Sequence, residues 1–322
     1  MPETEYVVSP APHLQSPTEV VHLMCAVILA LLPAVAAAVY FFGWRALAVV
    51  AVSMVTAVAA EFLCVRAAGR PFVMDGSAGL TGLLLAMVIP PDVPLWIPAI
   101  GSAFAIAIGK QIFGGLGHNP LNPALLGRAL LLVSWPTIMT TWRWPEGALA
   151  WAGEKAAAVA TATPLYLAKS GTLAKLGLEI PYWQLFLGNR AGSLGETSVL
   201  ALLLGGLFLI AVRVIDWRIP LSYLGSVAAL ALLFGEDPLF HLLTGGLVLG
   251  AFFMATDYVT SPLTKRGRVF FGLGCGLLTM LIRRYGGYPE GVCYAILVMN
   301  ATVPLLERAT LPRRFGEVKA RA

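Results

Sequence analysis

Residues 23–42 of the chain read LMCAVILALLPAVAAAVYFF, an unbroken run without a charged side chain. A helix of about 20 apolar residues crosses a bilayer core about 30 Å thick. Ile219–Phe234 is a second uncharged stretch, and lysine and arginine gather in the short connections between such stretches. The residues before the first run include Glu3 and Glu5 in place of the basic start of a cleaved signal, which favours a retained helix. The pattern predicts an integral membrane protein.

The composition of the whole chain agrees with this interpretation. Hydrophobic residues make up 58% and charged residues 12%, with a mean hydropathy of +0.80, whereas a soluble domain has about a quarter charged residues. We interpret the net charge of +5 as a feature of loops beside anionic lipid and not as a nucleic-acid surface. The histidines are far apart and the cysteines form no CxxC pair, so no metal site is predicted. The cysteines are small buried hydrophobic residues or, alternatively, ligands of a cluster shared with a partner.

Ten apolar segments are predicted to cross the membrane. They are 22–42, 46–66, 77–90, 95–112, 121–136, 197–212, 219–234, 239–256, 268–283 and 290–306. The third and the fifth are short and interrupted by glycine and proline, which is typical of half-helices around a site inside the protein.

The two halves of the chain resemble each other weakly. Thr81-Gly82 in the third segment is echoed by Thr244-Gly245 in the eighth, and Gly114-Gly115 by Gly286-Gly287. Since each half has an odd number of spans, a repeat would invert the second half relative to the first. We therefore predict an all-α integral membrane protein with about ten transmembrane helices, arranged as two five-helix inverted repeats. The repeats are 1–136 and 197–322, and the loop between them is 137–196.

The orientation follows from the basic residues of the connections. With both termini in the cytoplasm, most of these residues are cytoplasmic and only Arg45, Arg283 and Arg284 lie in short outer connections. The positive-inside rule therefore predicts that the loop 137–196 is extracytoplasmic.

Charged residues inside predicted spans suggest function because burying them in a membrane is costly. Glu61 either belongs to an ion path or reaches the cytoplasmic surface near Arg66. Arg128 lies deeper, so an internal partner is predicted in preference to lipid exposure. Asp257 either takes part in an ion path or only caps a turn before Pro262.

Two asparagines, Asn119 and Asn122, open the fifth span, and each precedes a proline. They either satisfy backbone groups freed at a broken helix or hydrogen-bond a polar ring system.

The external loop contains two further polar elements. Thr163 followed by Pro164 is typical of the N-cap and first residue of a short helix. Ser193, Glu196 and Thr197 are candidates to cap the sixth span, whose positive N-terminal end would favour an anion such as phosphate.

At these residues the chain resembles a known family, the RnfD subunits of the Rnf electron-transport complex and the related NqrB subunits of the sodium-pumping NADH:quinone reductase. The resemblance covers essentially the whole chain. Its motifs are Val8–His13 with Ser16-Pro17, Asp75–Gly82, Gly117–Ala124, Thr161–Leu165, Gly192–Ser198 and Thr256-Asp257 with Ser261-Pro262.

The resemblance implies a covalent FMN joined through its phosphate to the hydroxyl of Thr163, added by a flavin transferase. The chain departs from the family pattern at two places. Ala157 stands where an aspartate is usual, and Ala160-Thr161 replace a Ser-Gly pair, which makes Thr161 an alternative acceptor.

The resemblance also implies a second flavin, a non-covalent riboflavin, beside Asn119 and Asn122. Asp257 and Glu61 are the corresponding candidates for the ion path. The residues placed in the vicinity of a flavin are Ser193, Glu196 and Thr197.

The function implied is that of a flavin-bearing subunit of an ion-translocating ferredoxin:NAD oxidoreductase in the bacterial inner membrane, which is not active alone. The expected partners are the flavin-bearing RnfG, the membrane proteins RnfA and RnfE, the soluble proteins RnfB and RnfC, and membrane lipid, but no nucleic acid. The ion, Na⁺ or H⁺, and the direction of electron flow are left open. The alternatives are a solute channel or transporter with inverted repeats, or a redox-inert scaffold subunit.

Overall fold

The apolar segments of the chain fold into helices. The computed structural model describes residues 20–145, 162–172, 175, 180–287 and 290–311. Every regular element within these ranges is a helix, in agreement with the predicted all-α class. The helices before the loop are α1 (Val20–Phe42), α2 (Trp44–Ala67), α3 (Ser77–Met87), α4 (Trp96–Ile106), α5 (Pro123–Ser134) and α6 (Pro136–Thr140).

Two short helices lie in the described part of the loop, α7 (Pro164–Lys169) and α8 (Tyr182–Leu187), followed by a 3₁₀ turn at Leu194–Glu196. The helices after the loop are α9 (Val199–Ala211), α10 (Arg218–Leu233), α11 (Pro238–Leu243), α12 (Leu247–Leu249), α13 (Lys265–Tyr285) and α14 (Val292–Thr310).

Three of the described helices, α1, α2 and α14, are long and apolar enough to cross a bilayer. Helices α3, α5, α9 and α10 are apolar but shorter. These helices support a membrane protein, while the count of ten spans and the inverted repeat stay predictions.

Small residues let the helices approach one another closely. Helix α2 packs against α3 and α4, α10 against α13, and α1 against α9, so the last contact joins the two halves. A Cβ at Gly82 of α3 would lie 2.6 Å from the carbonyl oxygen of Ser53 of α2, and one at Gly205 of α9 would overlap the carbonyl of Ala30. The hydroxyl of Ser53 donates to the carbonyl of Gly82 at 2.7 Å. Such close backbone packing is how membrane helices gain contact energy without a hydrophobic driving force.

The predicted eighth span, 239–256, is broken in the middle. Helix α11 ends at Leu243, and α12 begins at Leu247 after a turn in which Gly245 and Gly246 have φ of +71° and +64°. Glycine adopts this conformation without steric cost. The prediction of one continuous helix is wrong here. The apolar composition continues through the turn, so it gave no sign of the break.

Two helices widen into π turns. Helix α4 continues as a π turn at Ala107–Gln111, and α12 continues as one at Gly250–Met254. Such turns occur frequently at functional sites, and residues of both turns line the inner cavity described below.

Candidate functional site

Thr163 begins α7, as predicted. Its Oγ1 accepts a hydrogen bond from the backbone N–H of Tyr166 at 3.2 Å, and Pro164 is the first helical residue. The indole N–H of Trp144 donates to the carbonyl of Ala162 at 3.1 Å. These bonds hold the threonine in a buried position, 3% exposed.

Lys169, at the other end of α7, ties this helix to the connection between α13 and α14. Its Nζ donates to the carbonyl oxygen of Gly286. Partial burial lowers the pKa of Lys169. The alternative acceptor Thr161, the departures at Ala157 and Ala160, and the motif of residues 8–17 lie outside the described residues.

A cavity of about 380 Å³, which we call the outer cavity, is lined by neighbours of Thr163 and not by Thr163 itself. Ala162 and Tyr166, which flank the threonine in sequence and on α7, contribute to its wall. The other wall residues used below are Arg128, Trp142, Glu290 and Tyr294. The volume lies within the range that holds small organic ligands, roughly 300–1,000 Å³.

The polar wall of the outer cavity is an ion pair between the two halves. The guanidinium of Arg128 on α5 donates from Nη2 to Oε2 of Glu290, which precedes α14. Their side chains are 9% and 15% exposed. The prediction of an internal partner for Arg128 is therefore confirmed.

A small cavity, which we call the central cavity, also contacts this ion pair. Arg128 and Glu290 line it together with Ser193 and Glu196. The carboxylate of Glu196 lies between two glycines: a Cβ at Gly192 would lie 2.9 Å from Oε2, and a Cβ at Gly246 would lie 3.0 Å from Oε1. The turn at Gly245-Gly246 therefore leaves room for the carboxylate.

Two buried arginines hold the ends of the broken helix. Arg283 donates to the carbonyl oxygens of His241 at 2.7 Å and Thr244 at 2.8 Å. Arg190 donates from Nε to the carbonyl of Glu196 at 3.0 Å and from Nη1 to the carbonyl of Leu243. The last carbonyls of a helix have no partner within it, so these guanidinium groups replace the missing helical bonds.

The capping role predicted for Ser193, Glu196 and Thr197 is wrong. Helix α9 is capped by the next residue, Ser198, whose Oγ accepts from the N–H of Ala201 at 3.2 Å. The side chains of Ser193 and Glu196 instead face the central cavity. A 3₁₀ turn at Leu194–Glu196 places the cap one residue later than the sequence spacing indicated.

An inner cavity of about 80 Å³ brings together three of the other predicted site residues. Asn119, Asn122 and Asp257 line it, together with Lys110 and Thr256. The carboxylate of Asp257 accepts from the hydroxyl of Thr260 at 3.0 Å, and its backbone carbonyl accepts from Ser261 at 3.1 Å. Asp257 therefore closes a turn and also faces the inner cavity.

The two asparagines satisfy backbone groups at broken helices, and they line the inner cavity at the same time. Oδ1 of Asn122 accepts from the N–H of Leu125 at 3.2 Å, and Nδ2 donates to the carbonyl of Met254 at 3.3 Å. Met254 ends the π turn of the second half, so Asn122 connects the halves. Nδ2 of Asn119 donates to the carbonyl of Leu121 at 3.1 Å.

Glu61 lies inside the protein and not at the surface near Arg66. Its Oε1 accepts from Nζ of Lys110, which also donates to the hydroxyl of Ser77 at 2.5 Å, and from Nε2 of Gln111 at 2.8 Å. The Lys110 side chain is 2% exposed and that of Glu61 is 9% exposed. The interpretation of Glu61 as a surface residue is therefore wrong, because the π turn of α4 directs a lysine towards it.

Four residues of these sites, Lys110, Arg190, Arg283 and Glu290, were not predicted from the sequence. Arg190 and Arg283 were placed in connections, and Lys110 and Glu290 lie at the ends of predicted apolar segments. The only local signal is that each lies within a few residues of a glycine or a proline, where a helix in a membrane can break.

Comparison with known proteins places this arrangement in a family. Residues 7–316 match the model of the NQR2, RnfD, RnfE family. The chain belongs to the NQR2, RnfD, RnfE family. The outer, central and inner cavities described above all lie within the matched range.

Relatives in this family are similar over nearly their full length. The D subunit of a proton-translocating ferredoxin:NAD(+) oxidoreductase complex from Clostridium ljungdahlii is 48% identical, over 97% of this chain and 96% of the relative. The D subunit of a Na(+)-translocating ferredoxin:NAD(+) oxidoreductase complex from Acetobacterium woodii is also 48% identical, over 99% of this chain and 98% of the relative. The D subunit of an ion-translocating oxidoreductase complex from Escherichia fergusonii is 39% identical, over 97% and 98%.

Proposed function

We propose that this chain is a flavin-bearing membrane subunit of an ion-translocating ferredoxin:NAD oxidoreductase complex, active only together with its partner subunits. The observation that carries the proposal is that Ala162 and Tyr166, which flank Thr163 in sequence and on α7, line a cavity of about 380 Å³ with aromatic and charged walls. The names of the similar proteins support the class of complex.

The residues present fit a flavin joined to Thr163. Trp142, Tyr166 and Tyr294 offer aromatic surfaces in the outer cavity, and Arg128 offers a cation. An ester oxygen at Thr163 would still accept the hydrogen bond of the Tyr166 N–H, because it keeps its lone pairs. A bound flavin supplies one- and two-electron transfer, while the protein holds it in position and limits its contact with water.

The experiment is mass spectrometry of the denatured chain after expression with a flavin transferase. We expect the peptide that contains Thr163 to gain the mass of one FMN less the one water lost in forming the phosphoester. The gain should be absent in Thr163→Val and present in the matched control Thr161→Val. An unmodified Thr163 peptide beside an active transferase would rule out the covalent site.

The second flavin is a separate proposal, because the inner cavity is too small for it as it stands. About 80 Å³ is less than a flavin ring system needs, so the apolar side chains around Asn119 and Asn122 would have to move. We expect denaturation of the wild-type complex to release riboflavin. The Asn119→Ala complex should release a smaller amount of it. Release of equal amounts from wild type and variant would exclude Asn119 from the site.

For the ion path we propose Asp257 in preference to Glu61. Glu61 is neutralised by Lys110, whereas the Asp257 side chain accepts from the hydroxyl of Thr260 and faces the inner cavity. We expect Asp257→Asn to slow ion uptake by proteoliposomes of the complex more than electron transfer, with Asp92→Asn at an exposed carboxylate as control. Uptake measured with ²²Na⁺ and with a pH-sensitive dye distinguishes Na⁺ from H⁺. Solute flux through the chain alone would support the transporter alternative.

The finer architecture belongs to the same proposal. We propose ten spans in two inverted repeats, 1–136 and 197–322, in a bacterial inner membrane, with the loop 137–196 outside the cytoplasm. The matching Thr-Gly pairs of the third and eighth spans, Thr81-Gly82 and Thr244-Gly245, support the repeat.

A further inference from the structure

Three buried polar atoms in residues that line the central cavity have no hydrogen-bond partner within 3.5 Å among the described residues. They are Nε of Arg128, Oγ of Ser193 and Oε1 of Glu196. The three residues are 7%, 0% and 3% exposed, and all of them line the central cavity. They come from α5, from the segment before the 3₁₀ turn and from that turn, so their meeting is a result of the tertiary fold.

Leaving these atoms without partners would be costly. A buried polar group without a hydrogen bond costs about 1–3 kcal/mol, and more when it is charged. Folded proteins avoid this cost with ordered water that makes about three hydrogen bonds. Within the central cavity, the centre of a water-sized sphere can move through about 10 Å³. This is room for about one water molecule.

The hydrogen-bonding groups match one water molecule. Nε of Arg128 can only donate, Glu196 only accepts when its carboxylate is ionised, and the hydroxyl of Ser193 can do either. We propose that Arg128, Ser193 and Glu196 hold a single water molecule that accepts from Arg128, donates to Glu196 and bonds Ser193. A cation in the same place would face the N–H of a guanidinium, which has no lone pair to offer and repels positive charge.

The consequence is a hydrogen-bonded path through the ion pair. The guanidinium of Arg128 donates from Nη2 to Glu290, which faces the outer cavity, and directs Nε to the water. The water therefore connects the outer cavity to Glu196 in the interior. The path is made of protein groups and water alone, so it exists whether or not the outer cavity holds a flavin.

X-ray radiolysis footprinting of the intact complex tests the proposal, because hydroxyl radicals formed from a bound water oxidise adjacent side chains. Met254 lines the central cavity and is 1% exposed, whereas the matched control Met280 is 0% exposed and is not a residue of this cavity. We expect oxidation of Met254 to be several-fold faster than that of Met280. Equal protection of the two methionines would overturn the proposal.

Two variants separate a held water from general solvent entry. Ser193→Ala removes one partner but leaves two, so we expect Met254 to be oxidised as in wild type. Ser193→Val fills the cavity with methyl groups, so we expect oxidation of Met254 to fall to the rate of Met280. Unchanged oxidation of Met254 in Ser193→Val would show that its water comes from elsewhere and would refute the site.

A density map of the wild-type complex gives a readout that does not depend on either variant folding. We expect one peak within hydrogen-bonding distance of Arg128 Nε, Ser193 Oγ and Glu196 Oε1. A direct bond between Arg128 Nε and Glu196, an empty cavity, or a peak coordinated by oxygen ligands alone at metal-ion distances would each overturn the proposal.

Discussion

At the scale of single residues, the buried ion pair of Arg128 and Glu290 differs from the exposed pairs of the same chain. Asp92, for comparison, faces Arg45 at 3.6 Å and Arg143 at 3.3 Å, and these side chains are 41–55% exposed. Removing one partner of a buried pair leaves an uncompensated charge and costs about 3–5 kcal/mol, whereas exposed pairs contribute about 0–1 kcal/mol.

We therefore expect Glu290→Gln to destabilise the protein by about 3 kcal/mol and its matched control Asp92→Asn by less than about 1 kcal/mol. Thermal unfolding of the purified complex in detergent, followed by the fluorescence of a size-exclusion peak, measures the difference. Equal midpoints for the two variants would mean that the Arg128 charge finds another partner.

Asp216 lies in the connection between α9 and α10, outside the spans. Its carboxylate accepts from the backbone N–H of Arg218 at 2.9 Å and from Nη1 of Arg268 at 2.6 Å. Burial by itself would raise the pKa of Asp216, but these hydrogen bonds outweigh it and lower the pKa below its usual value. The bond to Arg268 fastens this connection to the start of α13.

A pH dependence follows from that shift. Because the folded pKa of Asp216 is lower than the unfolded one, the carboxylate stabilises the fold above pH about 4 and loses its effect as the pH falls through the folded value. We expect Asp216→Asn to lower the melting temperature near neutral pH and to approach wild type in acid. A difference between the two melting temperatures that is constant with pH would contradict this origin.

At the scale of elements, the break between α11 and α12 shapes both the central cavity and the second half of the site. Glycines at positive φ permit the turn, but the freed carbonyls of His241 and Thr244 need donors, and Arg283 of α13 supplies them. The break is therefore maintained by a neighbouring helix.

The next residue on α13 offers a matched control for this role. Arg284 forms an exposed pair with Glu236 at 2.9 Å. We expect Arg283→Gln to destabilise the protein by about 3 kcal/mol because two buried carbonyls lose a charged donor, and Arg284→Gln by less than about 1 kcal/mol. Melting temperatures and the yield of assembled complex are the readouts. Similar melting temperatures and yields for both variants would show that the turn is stable without the hydrogen bonds from Arg283.

At the scale of the whole molecule, the proposed orientation can be tested with two matched cysteines. Gly171 in the loop and Gly69 after α2 have the same φ of +68°, and a Cβ added at either position would meet no atom within 4 Å. In a Cys25→Ser background, we expect an impermeant maleimide to label Gly171→Cys on intact spheroplasts. Gly69→Cys should react only after permeabilisation. The opposite pattern would reverse the proposed orientation.

Much of the fold could be predicted from the sequence because helix formation in a membrane depends on local composition. The first predicted span, 22–42, corresponds to α1 at Val20–Phe42. The N-cap of α7 could be predicted from two adjacent residues, Thr163 and Pro164. The break at Gly245-Gly246 was missed, since its maintenance depends on arginines from elsewhere in the chain.

That the chain is an all-helical membrane protein of its family follows from its sequence, because runs of apolar residues and short motifs act within a few residues. The partners of the buried charges depend instead on how the helices pack. Lys110 meets Glu61 across 49 residues, and Arg128 meets Glu290 across 162 residues. The physical reason is that a charge in a dry interior must find an opposite charge or a hydrogen bond, and packing, not sequence distance, determines which one is within reach.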